Sequence, residues 1–302
     1  MKLLVCDPTA PSAVEMMREA GIEVDVRDDI SPEELETVIA DYDAMVVRSR
    51  TKVREPLIDK AANLRLIIRG GVGLDNIAVD YARSKGVEVR NTPAASTNAV
   101  AELTLAYLFA LARRISQVVA SMKDGQWEKK AFSGGTELAG KVLGLVGCGR
   151  IGTMVAEKAD ALGMEVLSYD PYVEQFHRCV SGTELDELLA RADFISLHTP
   201  YTPETHHLID AAALAKMKDG VYVVNCGRGG TIDEAALYDA IVSGKVAGAA
   251  LDVFEDEKQD RGQRLMELPQ VIGSPHVGAG TVEAKARVGD EVAQIAIEVA
   301  NR

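Results

Sequence analysis

Six residues, Gly147-Cys148-Gly149-Arg150-Ile151-Gly152, constrain this chain more than any others. They follow an apolar run, VLGLV, and open a helix-like stretch, IGTMVAEKADALG. Glycines at this spacing have separate duties: the first makes a tight turn, the second lets backbone approach a pyrophosphate, the third allows close helix-strand packing. Orphan N–H groups at the helix start would then meet the phosphate charge. Asp170 in SYDP ends the next strand-like run, 18 residues after Gly152. A carboxylate there accepts hydrogen bonds from ribose hydroxyls and repels a 2′-phosphate, so the pattern predicts NAD rather than NADP.

The same alternation runs through the rest of the chain. In the first ninety residues the apolar runs are KLLVCD, IEVDV, AMVVRS, LRLIIRG and VEVRN, with helix candidates starting near Ser12, Ser31-Pro32, Arg54 and Val79. Ser31, Pro32 and two glutamates make a strong helix start: an N-cap, a proline in the first turn, then acid near the positive end of the dipole. From Lys141 the runs are KVLGLVG, MEVLSYD, FISLHTP, VYVVNCG, VAGAALDVF and VIGSP. Alternating strands and helices imply parallel sheets covered on both faces. The fold class predicted is therefore α/β, with two Rossmann-like, doubly wound parallel-sheet domains and a cleft between them. Residues 1–93 plus 282–302 are expected to form a discontinuous substrate-binding domain around a nucleotide-binding domain of residues 94–281. The segment NAVAELTLAYLFALARRISQVVASM reads as one long helix from Asn98, crossing between domains and available to a subunit interface.

Composition excludes several classes. A net charge of −13 argues against binding nucleic acid, which needs a basic surface. No apolar run is long enough to span a bilayer, and MKLLVCDPTA lacks a secretory pattern, so a cytoplasmic protein with no membrane partner is expected. The four cysteines, Cys6, Cys148, Cys179 and Cys226, have no paired spacing, and no metal site is expected. His206-His207 reads as a surface pair, with no carboxylate or cysteine at ligand spacing.

Three polar residues each stand just beyond an apolar run: Arg228 after VYVVNCG, Glu257 after VAGAALDVFED, and His276 after VIGSP. Strand ends of an open parallel sheet converge on the ligand crevice. A permanent cation forks a carboxylate and polarises a neighbouring carbonyl. An imidazole moves a proton near neutrality, and a carboxylate stabilises its charged form. Beside a dinucleotide, these three make a hydride-transfer site. His198 in LHTP also stands at a strand end, where it can line the cofactor cleft.

The segments RGGVGLDN, NTPAASTNAVAEL, GCGRIG, HTPYTPETHHLI, NCGRGGTIDEAAL, GAALDVFEDE and SPHVGAGT resemble those of the D-isomer-specific 2-hydroxyacid dehydrogenases over the whole chain. The resemblance implies catalytic roles for Arg228, Glu257 and His276. It places cofactor contacts at Gly147, Gly149, Arg150, Ile151, Gly152, Asp170, Thr199, Cys226, Gly227, Arg228, Asp252, His276, Gly278 and Ala279. Substrate contacts map onto Arg48, Ser49, Gly71 and Val72. VVRSRTKV and ASMKDGQWEKKAFSGGTEL carry a narrower similarity, implying NAD-dependent oxidation of D-3-phosphoglycerate at the entry to serine synthesis by a homodimer. Arg48, Arg50, Lys52 and Arg69 are the cations available for the phosphate. Reduction of another 2-keto acid (hydroxypyruvate, glyoxylate, pyruvate) and a non-enzymatic NAD-sensing scaffold remain alternatives. Two positions depart from the family pattern: Lys258 replaces the proline that usually follows the glutamate, and Ser96 stands where relatives often carry asparagine. Longer relatives append a regulatory amino-acid-binding domain; with the sequence ending at Arg302, feedback through one is not expected.

Overall fold

The computed structural model describes residues 1–256 and 263–302. These form two compact units, one of residues 1–97 with 279–302, the other of residues 98–278.

The first unit opens β1 (Lys2–Val5), α1 (Pro11–Glu19), β2 (Glu23–Val26), α2 (Pro32–Val38), β3 (Ala44–Val47), α3 (Glu55–Lys60), β4 (Leu66–Arg69), α4 (Val79–Ser84) and β5 (Glu88–Asn91). Its five strands are all parallel, in the order β2-β1-β3-β4-β5. The central strands are apolar without alternation because both faces are covered: all of AMVV in β3 is buried. Ser31 caps α2, its hydroxyl accepting from the Glu34 N–H at 3.1 Å.

The second unit contains α5 (Thr97–Ala112, beginning at the boundary), α6 (Ile115–Lys123), β6 (Val142–Val146), α7 (Arg150–Ala161), β7 (Glu165–Tyr169), β8 (Ser181–Gly182), α8 (Leu185–Arg191), β9 (Phe194–Leu197), α9 (Ala211–Lys216), β10 (Val221–Asn225), α10 (Glu234–Val242), β11 (Val246–Leu251), α11 (Gln263–Met266) and β12 (Val271–Gly273). Its seven strands are also all parallel, in the order β12-β11-β10-β9-β6-β7-β8. The chain leaves β6 toward β7 on one side and returns to β9 on the other. That reversal opens a crevice at the C-terminal end of β6, where the glycine turn stands.

A last helix, α12 (Val282–Ala300), belongs to the first unit and packs on α1 and β4. Thr281 caps it by accepting from the Ala284 N–H at 3.0 Å. Val288, Val292, Ala293 and Ala296 enter the same core cluster as Leu3, Val46 and Ile68. Burying each such aliphatic side chain contributes about 1.5–3 kcal/mol, which is what draws the end of the chain back to its beginning.

The single long helix expected from Asn98 is two helices. α5 and α6 meet at a 65° bend, with Arg114 in the left-handed region at φ 51°. At the break the Ala112 carbonyl accepts from the Thr136 N–H at 2.9 Å, so a later segment satisfies it in place of the next helical turn. Burial separates the two pieces as well. Leu108, Leu111 and Ala112 of α5 lie in the core, whereas α6 has no buried residue. No single helix among the described residues is long and apolar enough to cross a membrane.

Candidate functional site

One row of residues crosses the larger sheet in register: Tyr169, Val146, Leu197, Asn225, Leu251 and Gly273, one from each of six strands. The next residue along each strand gives Asp170, Gly147, His198, Cys226, Asp252 and Ser274. Parallel pairing forces these six onto one edge of the sheet. Arg228 stands three residues beyond β10, and His276 three residues beyond β12, two strands away. At about 4.8 Å per strand, the two loops start about 10 Å apart.

The glycine turn carries its constraints in its geometry. Gly147 has φ +95°, which only glycine adopts readily, and a Cβ on Gly152 would stand 2.3 Å from the Gly147 carbonyl oxygen. Gly149 differs: no described atom lies within 4 Å of where its Cβ would be. Internal packing does not demand a glycine there, but the close approach of a ligand does. Gly149 is also the N-cap of α7, without a side chain to cap the helix, so the first-turn N–H groups are presented outward. Asp170 reaches back to this turn, its Oδ2 accepting from the Cys148 N–H at 2.8 Å and its Oδ1 from the Tyr172 N–H at 3.0 Å. Across the crevice, Thr199 Oγ1 and His198 Nδ1 are buried without a hydrogen-bond partner among the described residues. An uncapped helix start, an open glycine and two unsatisfied polar atoms on one crevice fit a dinucleotide.

His198 is neutral where it stands. Burial pushes its pKa down from 6.5 to about 4, and its Nε2 lies 2.9 Å from Ser196 Oγ. Cys226, beside Gly227 and Arg228, is pushed up to about 12, first by burial and further by Asp252. That thiol stays protonated, so it is a packing group and no nucleophile.

Asp252 is almost completely buried and organises the turn after β12. Its Oδ1 accepts from the Val277 N–H at 2.8 Å and from the Ser274 hydroxyl; its Oδ2 accepts from the Gly278 N–H at 2.7 Å. Tyr107 in α5 hydrogen-bonds the same Ser274 hydroxyl. The His276 N–H donates to the Asp252 carbonyl at 2.9 Å. His276 itself sits at φ 52°, a conformation costing an L residue about 1–2 kcal/mol, and these bonds hold it there. His276 is an exposed residue at the edge of the sheet.

Arg228 is half-buried. Its carbonyl accepts from Asn225 Nδ2 at 3.0 Å and from Thr231 Oγ1 at 2.8 Å, and its Nη1 donates to the Gly227 carbonyl at 2.8 Å. Glu257 and Lys258 lie outside the described residues. Ala279 falls in the first unit, as do Arg48, Ser49, Gly71 and Val72.

Within the first unit, Arg48 and Ser49 follow β3, and Gly71 and Val72 follow β4, its neighbour in the sheet. Gly71 has φ +142°, and a Cβ there would stand 1.6 Å from Arg69 Nη1, so the Arg69 guanidinium lies against this glycine. Arg50, one of the cations expected to face a phosphate, is committed internally: Nε to Asp7 Oδ1 at 2.9 Å, and Nη2 to the Cys6 and Asp28 carbonyls. Lys52 Nζ donates to the Ser49 carbonyl at 3.2 Å.

Sequence reasoning missed Asp7. Fully buried, it accepts from the Arg48 N–H and from Thr51 Oγ1 as well as from Arg50, and so shapes the whole Arg48–Thr51 loop. The signal was available, since Asp7 is a polar residue just beyond the apolar run of β1. His207 was also passed over, and its surroundings are described below.

Residues 105–278 match the model of the D-isomer specific 2-hydroxyacid dehydrogenase, NAD binding domain. The chain is 48% identical over 298 residues to a D-3-phosphoglycerate dehydrogenase of Methanocaldococcus jannaschii, covering 97% of this chain and 56% of that relative. It is 46% identical over 293 residues to a hydroxypyruvate reductase of Thermotoga maritima, covering 96% of this chain and 95% of that one. The crystal structure of D-lactate dehydrogenase from Aquifex aeolicus, complexed with NAD and lactic acid, superposes with a TM-score of 0.88 at 32% identity, covering 100% of this chain and 96% of that one. The chain belongs to the D-isomer specific 2-hydroxyacid dehydrogenase family, and residues 105–278 are its NAD-binding domain. It spans little more than half the length of the phosphoglycerate dehydrogenase it matches.

Two outcomes follow from this geometry. The His198 ring resonances should titrate near pH 4 rather than near 6.5 when followed by proton NMR. Because the folded state holds the lower pKa, the unfolded state binds more protons between these values. The contribution of His198 to stability is present above 6.5 and is lost as pH falls toward 4. Asp170→Ala should raise the NADP-to-NAD ratio of binding constants by at least about tenfold, measured by titrating each reduced cofactor; an unchanged ratio would refute the ribose contact.

Proposed function

We propose that this chain is an NAD-dependent dehydrogenase that oxidises D-3-phosphoglycerate to 3-phosphohydroxypyruvate. The observation that carries the reading is the in-register edge of the larger sheet. It places the Arg228 turn, buried Asp252 and the His276 turn on three adjacent strands, with the glycine crevice further along the same edge.

The start of α7 would hold the pyrophosphate and Asp170 the ribose, while Thr199, Cys226 and Gly227 would contact the rest of the dinucleotide. When bound, NAD supplies the hydride acceptor. The chain's own groups do the rest. Arg228 offers a planar, permanently charged fork to the substrate carboxylate and polarises the adjacent C2 oxygen. An imidazole nitrogen of His276 takes the C2 hydroxyl proton in oxidation and returns it in reduction. Glu257 is assigned, on resemblance, the carboxylate that stabilises the charged ring. In the first unit, Arg48, Ser49 and the backbone at Gly71 and Val72 are assigned to the substrate. Arg48 and Arg69, at the ends of β3 and β4, are assigned to the phosphate, and Arg50 is held by Asp7.

A second reading has its own support. The Thermotoga hydroxypyruvate reductase is of similar length to this chain, and the same Arg228 and His276 would serve reduction of an unphosphorylated 2-keto acid. NADH formation with D-3-phosphoglycerate, D-glycerate and D-lactate, read at equal concentrations, separates the two. A preference for D-glycerate would move the assignment to the second reading. Activity with none of the three, nor with hydroxypyruvate and NADH, would end both. On the best substrate, Arg228→Ala and His276→Ala should each lower turnover by at least about a hundredfold with the Kd for NADH little changed.

We assign the exposed apolar face around the α5–α6 bend to a second copy of the chain. Phe109, Ile115, Val119, Met122 and Trp127 are exposed there. A groove of about 490 Å³ opens at the same bend, lined by Leu111, Arg114, Gln117, Phe132 and Tyr222. Sedimentation equilibrium should give a dimer, and Val119→Glu with Met122→Glu should give monomers. A monomeric parent chain would refute the assignment.

A further inference from the structure

His207 takes no part in the roles assigned above, yet three loops meet on it. It lies between β9 and α9 with a backbone φ of 48°, a second histidine held in the left-handed region. The turn is laced to the one that carries Arg228. The His207 N–H donates to the Gly230 carbonyl at 2.8 Å, the Ile209 N–H to the Thr231 carbonyl at 3.1 Å, and the Asp233 N–H returns to the Ile209 carbonyl at 3.0 Å.

The ring extends this lacing to the backbone beyond β11. His207 Nε2 lies 2.9 Å from Glu255 Oε1, while Nδ1 faces Asp233 Oδ2 at 3.9 Å. Glu255 is itself clasped by the start of α10. Its N–H donates to Glu234 Oε1 at 2.6 Å, and the Glu234 N–H donates to Glu255 Oε1 at 3.3 Å. The backbones also touch directly, because a Cβ on Gly229 would stand 1.8 Å from the Phe254 carbonyl oxygen. His206 stacks on His207 with centroids 4.0 Å apart and meets Tyr201 OH through Nδ1 at 3.2 Å. Three carboxylates, Asp233, Glu234 and Glu255, therefore surround one imidazole. Burial, then the neighbouring Glu255 charge, pushes the Glu234 carboxyl up.

A tie of this kind stabilises a loop wherever it occurs. Here it joins Gly230, two residues after Arg228, to Glu255, two residues before Glu257 in sequence. We propose that His207 is a positioning residue: bonded to Glu255, it fastens the Arg228 turn to the backbone beyond β11 and so fixes the guanidinium for the substrate carboxylate. This rests on the dehydrogenase reading, and the test separates the two.

His207→Ala, Glu255→Ala and the double variant are compared with the parent chain. Each single variant should raise the KM for the hydroxy acid about tenfold, with kcat lowered less and the Kd for NADH unchanged. The double variant should be no worse than either single one, because both remove the same tie. His207→Gln, whose amide can still donate to Glu255, should recover most of the loss. Variants that lower Tm while leaving KM as in the parent overturn the proposal, since a purely structural tie predicts that result. A readout independent of turnover is amide exchange. The N–H groups of Ile209 and Asp233, which make the lacing, should exchange about tenfold faster in His207→Ala, with Val223 and Val224 of β10 unchanged. If the parent chain oxidises no 2-hydroxy acid, the dehydrogenase reading falls. Unchanged exchange at Ile209 and Asp233 overturns the positioning role whatever the parent chain turns over.

Discussion

Parallel strand pairing in the larger sheet is the constraint on which everything else depends. A parallel ladder sends every strand's C-terminus to the same edge, and the crossover helices keep that edge clear. The in-register row from Tyr169 to Gly273 turns six stretches, up to 127 residues apart in sequence (Val146 to Gly273), into one line about 24 Å long. Slipping any one strand by a single residue would also invert its side chains between faces. The register is therefore protected by the core itself. Phe194, Leu143 and Val224 are buried in place, and a slip would exchange each with a neighbour of different size.

Beyond that line, side-chain hydrogen bonds decide where the functional groups point. Asp252 shows the principle most fully. A buried carboxylate without partners would be costly, and here both oxygens accept from the turn that carries His276. The bonds that satisfy the charge are the ones that hold His276 in a conformation an L residue avoids. Asp7 does the same in the first unit for the Arg48–Thr51 loop. In both units, an aspartate just past a strand shapes a neighbouring loop through that loop's N–H groups and some of its side chains.

Much of this was legible in the residues. The apolar runs fix the long strands because a buried parallel strand has no reason to alternate, and Ser31-Pro32 and the glycine turn mark helix starts by local chemistry. What escaped had causes that a local pattern does not carry. The two-residue β8 has no apolar run to announce it. The bend between α5 and α6 depends on a backbone bond from Thr136, 24 residues past Ala112. The His206-His207 pair looked solitary because its carboxylate, Glu255, is 48 residues away in sequence. Arg50 looked available because Asp7, which engages it, is 43 residues earlier. Spacing in sequence finds groups that follow strands; it does not tell which of them already hold one another.

The high thiol pKa of Cys226 bears on what the crevice can tolerate. Burial pushes that thiol up to about 12, so near neutrality it stays protonated. The thiolate is the form that oxidants and electrophiles attack, and this buried sulfur is kept in the other form. The burial that packs the end of β10 into the sheet is thus also what withholds this thiol from nucleophilic chemistry.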